Sequence, residues 1–458
     1  MRILIQGINF FPEPVGVGKY TGEMANWLAA RGHEVRIVTS PPHYPQWRVL
    51  PEYRAWKYSR ERHPVRDNLE HLSGNPLPSA AKMEVFRCPI WVPRSPNGLR
   101  RLLYPASFGL SSWLAVLLQI AWRPDVALLV EPTLFCSFQA LLVARLSGAK
   151  AWLHVQDFEV DAAFELGDFS SPVVRQLAQA AERFLMRRFD RVSSISGRLV
   201  ERLIAKGVNA PQCLLFPNWV DTSAIYPLPG PSPLRQKFGI PDQAIVALYS
   251  GNMGKKQGLE LLADASHQLA PRRPDLQFVF CGEGSYRDTF SRLAGKARNV
   301  MFLPVQPADR LNDLLNLADI HLLPQRANAA DLVMPSKLTG MLASGRAVVA
   351  TASAGSQLFT VLDGRGMLTP PGNVNAFVSA VIRLADDRDL RRQLGEEARK
   401  YAIRRLQRDE ILGKFELALM NVCGHSQLVT KAGLSHSRNG KRLVGANLPV
   451  VARKVGGN

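Results

Sequence analysis

Ile245-Val-Ala-Leu-Tyr-Ser250 runs directly into Gly251-Asn-Met-Gly-Lys255-Lys256-Gln-Gly258-Leu-Glu260: an apolar run, a glycine loop with adjacent lysines, then a helical pattern. A short, nearly continuous apolar run bounded by glycine reads as a strand buried on both faces, the habit of parallel sheets covered by helices. The same unit recurs on both sides. Downstream, strands are predicted at 276–281, 299–303, 319–323 and 347–351, alternating with helices at 258–269, 285–296, 308–317 and 336–343. Helices near 374–386, 388–405 and 408–420 close this half. Upstream, strands at 2–8, 34–39, 84–88, 125–130, 150–155 and 191–195 alternate with helices at 20–30, 100–122, 134–146, 173–188 and 198–206.

Between the two series, Tyr226-Pro-Leu-Pro-Gly-Pro-Ser-Pro-Leu234 cannot continue a helix or a central strand and reads as a stiff linker. The expected fold is α/β: two doubly wound, Rossmann-like domains facing across a cleft. Their expected limits are 1–222 for an N-terminal, acceptor-side domain, 223–242 for the linker and 243–405 for a C-terminal, nucleotide-sugar-binding domain. A C-terminal helix over 406–424 and a basic tail over 425–458 follow. The tail has six basic residues, no acid and little periodicity, and is expected to be disordered. Open parallel sheets bind ligands beyond their strand C-termini, and two such sheets form an inter-domain cleft.

The chain of 458 residues, 46% hydrophobic and 21% charged, can bury a large core. Its formal charge of +19 attracts polyanions: nucleic acid, anionic lipid headgroups or phosphorylated ligands. No helix-turn-helix, zinc or RNP pattern accompanies that charge, so nucleic acid is not the expected partner. Cys88, Cys136, Cys213, Cys281 and Cys423 are scattered, which excludes a disulfide framework and a structural zinc site and fits a reducing cytosol. The opening run Ile3-Leu4-Ile5 is too short for a signal-peptide core, so no targeting segment is expected. The most apolar stretch, 102–122, contains three serines and a glutamine from Ser107 onward and reads as a core or membrane-surface helix, not a span.

Three loops and one helix start could hold a phosphate. In the first, Gly16-Val-Gly18-Lys19-Tyr20 opens a helix, where backbone N–H groups and the helix dipole favour an anion. A dinucleotide site would need glycines close to the strand and an acid at the end of the second strand, which instead ends Val38-Thr39-Ser40. A tight turn without a ligand is the alternative there. In the second loop, Lys255 and Lys256 offer two point charges beside backbone donors, matching a diphosphate leaving group; a solvated basic turn is the other reading. Gly282-Glu283-Gly284 repeats the strand-glycine-helix logic on the next unit. Finally, Pro335-Ser336-Lys337 begins a helix with a proline in its first turn and a hydroxyl nearby, and Asp331 is the nearest acid for a sugar or ribose hydroxyl.

The order of these motifs, with Pro217-Asn218-Trp-Val-Asp221 between the first and second loops and Ala343-Ser-Gly-Arg-Ala-Val-Val-Ala-Thr351 after the last, resembles the GT-B fold, family 4 retaining glycosyltransferases over about residues 1–420. The opening, with Gly18-Lys-Tyr-Thr-Gly-Glu-Met24 and Thr39-Ser-Pro-Pro-His43-Tyr-Pro-Gln-Trp47, is similar to the colanic-acid-type exopolysaccharide transferases that use GDP-fucose. The resemblance implies that Gly16, Gly18 and Lys19 face the donor diphosphate or acceptor. It implies that His154, in Leu153-His-Val-Gln-Asp157, is the active-site histidine near the reacting sugar, against the alternative of a satisfied histidine at a strand end. Lys255 and Lys256 match the basic pair that neutralises the diphosphate, although Gln257 stands where the family often has its lysine. Gly251, Gly282, Glu283 and Gly284 lie near the nucleotide in this reading, as do Pro335, Ser336 and Lys337. The family's Glu-x7-Glu pair is replaced by Leu332 and Gly340, leaving Asp331 as a substitute ribose contact.

By that resemblance the partners are a nucleotide-diphosphate sugar donor and a polyprenyl-diphosphate-linked saccharide acceptor. If Arg100, Arg101, Arg123, Arg183, Arg187, Arg188, Arg191, Arg198 and Arg202 share a face with the apolar 102–122 segment, the N-terminal half rests on a peripheral anionic membrane surface; scattered surface arginine is the alternative. The location is the cytoplasm, on the inner face of the cytoplasmic membrane. No cofactor or metal is called for: Asp387-Arg-Asp389 reads as a helix cap, and lysines with helix N-termini can meet the charge of the departing phosphate. With no carboxylate nucleophile evident, a front-face displacement is preferred. A nucleotide-sugar epimerase of the same fold and a non-catalytic scaffold of an assembly complex are the rival readings.

Overall fold

The computed structural model describes residues 1–64, 82–94, 99–131, 134–158, 160–161, 171–254, 257–326 and 335–424. Lys255, Lys256, Asp331 and the tail 425–458, on which expectations were placed, lie outside the described residues.

Two sheets form the frame. The first contains β1 (Arg2–Gln6), β2 (Glu34–Thr39), β3 (Ser59–Pro64), β4 (Lys82–Arg87), β5 (Val126–Glu131), β6 (Lys150–Val155), β7 (Arg191–Ser194) and β8 (Cys213–Leu215). Their order is β3-β4-β2-β1-β5-β6-β7-β8. Every pair is parallel except β3 with β4. The second contains β9 (Ile245–Ser250), β10 (Leu276–Cys281), β11 (Val300–Leu303), β12 (Ile320–Leu323), β13 (Ala347–Thr351) and β14 (Met367–Thr369) in the order β11-β10-β9-β12-β13-β14, all parallel. β5 and β13 are buried at every position, as strands covered on both faces require. The α/β architecture of two doubly wound sheets is therefore as the alternation of the sequence implies.

Four local departures have physical causes. β3, Ser-Arg-Glu-Arg-His-Pro, has no apolar run to announce it; it is an exposed antiparallel edge, where charge and proline are tolerated. Within the proline-rich linker, Pro233–Lys237 is a helix: Pro233 sits at its first turn, where no N–H is needed, and Ser232 Oγ accepts from Leu234 N. The first helix spans Gly16–Ala30, so Gly16, Gly18 and Lys19 belong to its opening turns and not to a loop before residue 20. The expected 100–122 helix ends at Leu117 and continues as turns.

The chain crosses between the sheets twice. Val220 forms a parallel bridge with Gln407, and Arg408 Nη1 pairs with Asp221 at 2.8 Å. Helix Arg408–Val422 thereby returns to the first sheet, where Ile411, Leu412, Phe415 and Leu419 join the core formed by Ile3, Ile5, Leu28 and Trp152. Among the described residues, no helix is long and apolar enough to cross a membrane.

Candidate functional site

The C-terminal ends of β9 and β10 meet at glycines because nothing larger fits. Gly251 has φ +127, and a Cβ on Gly282 would collide with the Gly251 carbonyl. The two loops are tied by Gly251 N donating to Cys281 O at 2.9 Å and Met253 N to Glu283 O at 2.8 Å. Gly284 lies against Met253, while the Glu283 carboxylate turns aside to Arg287 at 3.4 Å. Tyr249 donates its hydroxyl to Asn252 O at 2.6 Å, which fixes the start of the Gly251 loop.

Lys337 enters this cradle from helix Lys337–Ala343. Its ammonium is buried, finds no hydrogen-bond partner among the described residues, and sits 3.9 Å from the centre of the Tyr249 ring and beside Gly251. Burial pushes its pKa down to about 7. Ser336 makes no side-chain capping bond, and Pro335 precedes it, half-buried.

The first sheet supplies the facing wall. Glu13, between two prolines, is buried and accepts from the backbone N–H groups of His43 and Tyr44, both at 3.0 Å, and from Asn9 Nδ2 at 2.9 Å. Burial raises its carboxyl to about 7 despite those donors. Gly18 packs directly on Glu13, and Gly16 lies against the Tyr44 ring. Tyr44 in turn receives a hydrogen bond from Asn252 Nδ2 at 3.2 Å. A second tie joins the walls: Tyr20 donates to Ser336 O at 3.3 Å and lies 3.3 Å from Thr339 Oγ1. Lys19 pairs with Glu23 at 3.7 Å.

The structure thus gathers Gly16, Gly18 and Lys19 on one side and Gly251, Gly282, Gly284, Ser336 and Lys337 on the other. His154 is not part of that gathering. At the end of β6 it is buried, with Nδ1 3.0 Å from Ser193 Oγ and Nε2 3.1 Å from Gln156 Nε2, while Gln156 bonds Asn218 at 3.3 Å. Since the Gln156 amide donates, Nε2 accepts and the proton resides on Nδ1. Burial holds this ring neutral, with its pKa down at about 3.

Tyr44, Glu13 and Asn252 were given no role from sequence. One signal was available: an acid fixed between Pro12 and Pro14, in a loop whose glycines favour anions, calls for a structural reason.

Comparison with known proteins gives these walls a context. Residues 15–219 match the glycosyl transferase 4-like domain and residues 232–401 match the glycosyl transferases group 1. The chain is 40% identical to the colanic acid biosynthesis glycosyl transferase WcaI of Escherichia coli (strain K12), over 91% of this chain and 98% of that protein. Among solved structures, sucrose-phosphate synthase of Thermosynechococcus elongatus superposes with a TM-score of 0.68 at 15% identity, over 95% of this chain and 99% of that one. HepE of Anabaena, solved with UDP and glucose, superposes with a TM-score of 0.60 at 18% identity, over 95% of this chain and all of that one. Two doubly wound sheets, crossed twice by the chain and matched along both halves, make this protein a member of the GT-B glycosyltransferases with family 4-like domains.

Proposed function

We propose that the protein transfers a sugar, fucose from GDP-fucose in the first instance, from a nucleoside diphosphate to a saccharide on a polyprenyl diphosphate. The role is in assembly of an exopolysaccharide of the colanic acid type, consistent with the name of its Escherichia coli relative. The observation that carries the reading is the Lys337 ammonium, buried between glycine turns with no hydrogen-bond or ion-pair partner among the described residues. Such a group is costly unless a ligand brings the missing charge, and a diphosphate brings it.

In the proposed reaction the acceptor hydroxyl attacks the anomeric carbon on the face from which the diphosphate leaves. The C1–O bond to the β-phosphate breaks as the bond to the acceptor oxygen forms, the bonding electrons pass to the phosphate, and a phosphate oxygen takes the acceptor proton. Configuration is retained. Lys337, Lys255 and Lys256, with the N–H groups around Gly251, Gly282 and Gly284, meet the charge that develops on the phosphate. Gly16, Gly18 and Lys19 close the donor from the opposite wall, Asp331 serves the ribose, and neutral His154 stands behind the sugar subsite. The enzyme works in the cytoplasm, at the inner face of the cytoplasmic membrane.

The test is a donor screen with GDP-fucose, GDP-mannose and UDP-hexoses, with and without a lipid-diphosphate acceptor, each with and without EDTA. Transfer insensitive to EDTA, with retained anomeric configuration by NMR, is the expected result. Conversion of the donor without acceptor would identify an epimerase, and binding without turnover a scaffold. Lys256→Ala is expected to cut turnover at least ~100-fold, the scale for losing one transition-state charge partner.

A further inference from the structure

The loop that leaves the carboxyl end of β2, the end where open parallel sheets take their ligands, is anchored at several points. The His43 and Tyr44 amides bond Glu13, Arg48 N donates to His43 O at 3.3 Å, and Leu50 N donates to Pro42 O at 3.0 Å. Trp47 stands in this loop with φ +54, in the left-handed region that a bulky side chain adopts only where its surroundings impose it. Two rings brace its indole: Tyr104 and His43 meet it in edge-to-face pairs, with centroids 5.2 Å and 6.4 Å away. The brace is itself fixed. Burial keeps His43 neutral, with its pKa pushed down to about 4. Its Nδ1 donates to Pro41 O at 2.8 Å, so Nε2 accepts from the Tyr104 hydroxyl at 2.6 Å.

An indole so mounted is a rigid, flat, half-buried surface, with the exposed residues Gln46 and Arg48 on either side of it in sequence. A hexose ring matches that combination: one face presents C–H groups, which the negative face of an indole attracts, and the rim presents hydroxyls for polar side chains. A nucleobase would also stack on Trp47. The groups assigned to the donor phosphate, however, stand on the second sheet, and the Trp47 loop belongs to the first. Tyr44, three residues before Trp47, reaches Asn252 at 3.2 Å and so brings this loop to the cleft. A sugar on Trp47 therefore approaches from the wall opposite the donor phosphate, as an acceptor does.

We propose that the Trp47 indole is the platform on which one ring of the acceptor saccharide stacks; that this ring belongs to an acceptor rests on the transfer reading above. Saturation-transfer NMR of the full chain with the methyl glycosides of glucose, galactose, mannose and fucose reads the stacking. For at least one of them, saturation is expected on the C–H protons of a single ring face, and it should persist when GDP is present. Trp47→Asn, which tolerates the same backbone conformation, should lower that signal at least about fivefold, and Trp47→Phe should restore most of it. In turnover with a lipid-diphosphate acceptor, Trp47→Asn should raise the acceptor KM about tenfold, while the donor KM stays within about twofold. Both variants keep the parent's affinity for GDP, which shows that they fold. Absence of single-face transfer to every glycoside, an undiminished signal in Trp47→Asn, or displacement of the glycoside by GDP would overturn the proposal. If the stacking is seen but no donor yields transfer, the platform stands and the transfer reading falls. If Trp47→Asn transfers sugar with the parent's acceptor KM, the platform falls and transfer stands.

Discussion

Asn252, on the loop after β9, donates its side-chain amide to the phenol of Tyr44, from the wall built on the first sheet, at 3.2 Å. The bond links the cradle of Lys337 to the loop that Glu13 holds, so it joins the two walls where a donor would be enclosed. Tyr44→Phe removes the acceptor and leaves the ring on Gly16. A neutral hydrogen bond contributes about 0.5–1.5 kcal/mol, so the donor KM is expected to rise roughly 2–10-fold with kcat little changed. Steady-state kinetics of Tyr44→Phe, Asn252→Ala and the double variant check it, and the double variant should be no worse than the weaker single. Additive effects would show that the bond is not the link.

On the proposed reading, Lys337 makes donor affinity depend on pH in a defined direction. In the unliganded protein its pKa is lowered from 10.5 to about 7, and a diphosphate favours the charged form, so the bound pKa lies higher. Affinity is therefore full below about 7 and declines as pH rises through the interval between the two values, with uptake of a proton on binding. Titration calorimetry with GDP in buffers of different protonation enthalpy reads that proton directly. Lys337→Met should bind more weakly and take up none. Stability of the free protein has the opposite slope. The unfolded chain holds this proton up to about 10.5 and the folded one only to about 7, so unfolding free energy climbs across that interval. Loss of that climb in Lys337→Met, measured by denaturant titration, is the second check.

Glu13 supplies a contrasting pH signature. Its carboxyl is raised from 4.5 to about 7, so the folded state binds a proton that the unfolded state has released, and stability falls as pH rises between those values. Glu13→Gln should flatten that fall while keeping an oxygen for the His43 and Tyr44 amides. Glu13→Ala leaves both buried donors without their acceptor and is expected to cost about 1–3 kcal/mol for each unsatisfied group at every pH. Thermal unfolding of the three proteins across pH separates the two variants.

How much of this was legible beforehand follows the physics of each element. Buried parallel strands advertise themselves, because a run such as Val126-Ala-Leu-Leu-Val needs no polar face, and the frame of both sheets could be read from such runs, though not the three-residue, partly buried strands β8 and β14. β3 could not, since an edge strand spends its side chains on solvent and on pairs such as Glu61 with Arg87 at 2.8 Å. The glycines after β9 and β10 were visible as potential phosphate loops. That Lys337 finds no partner among the described residues was not visible, because pairing is a property of three-dimensional packing. Neither was the bond between Tyr44 and Asn252, residues 208 apart in the chain.

His154 offers a test of role against environment. Both ring nitrogens are engaged, and burial keeps the ring neutral far below its ordinary pKa of 6.5. If it serves the sugar subsite, His154→Gln lowers kcat but leaves the shape of the pH–rate profile unchanged. An inflection near 6.5 present in the parent and lost in the variant would mean that His154 titrates during turnover, and the neutral assignment would fall.

The last prediction uses the independence of the two sheets. Phe415, on the helix that returns across the cleft, stacks on Phe216 with centroids 4.0 Å apart and meets Trp152 edge-on at 5.1 Å. Truncation to alanine empties a well-packed site and is expected to cost about 3–5 kcal/mol. The cost falls on the first sheet and its returning helix, while Lys337, Gly251 and Gly282 stand on the second. Denaturant unfolding followed by near-UV circular dichroism should therefore show an earlier transition for Phe415→Ala. Below that transition, GDP affinity should match the parent within the roughly 0.5 kcal/mol expected of distant, non-interacting sites. A parallel loss of GDP binding would mean that the diphosphate depends on the first sheet more than the buried ammonium of Lys337 implies.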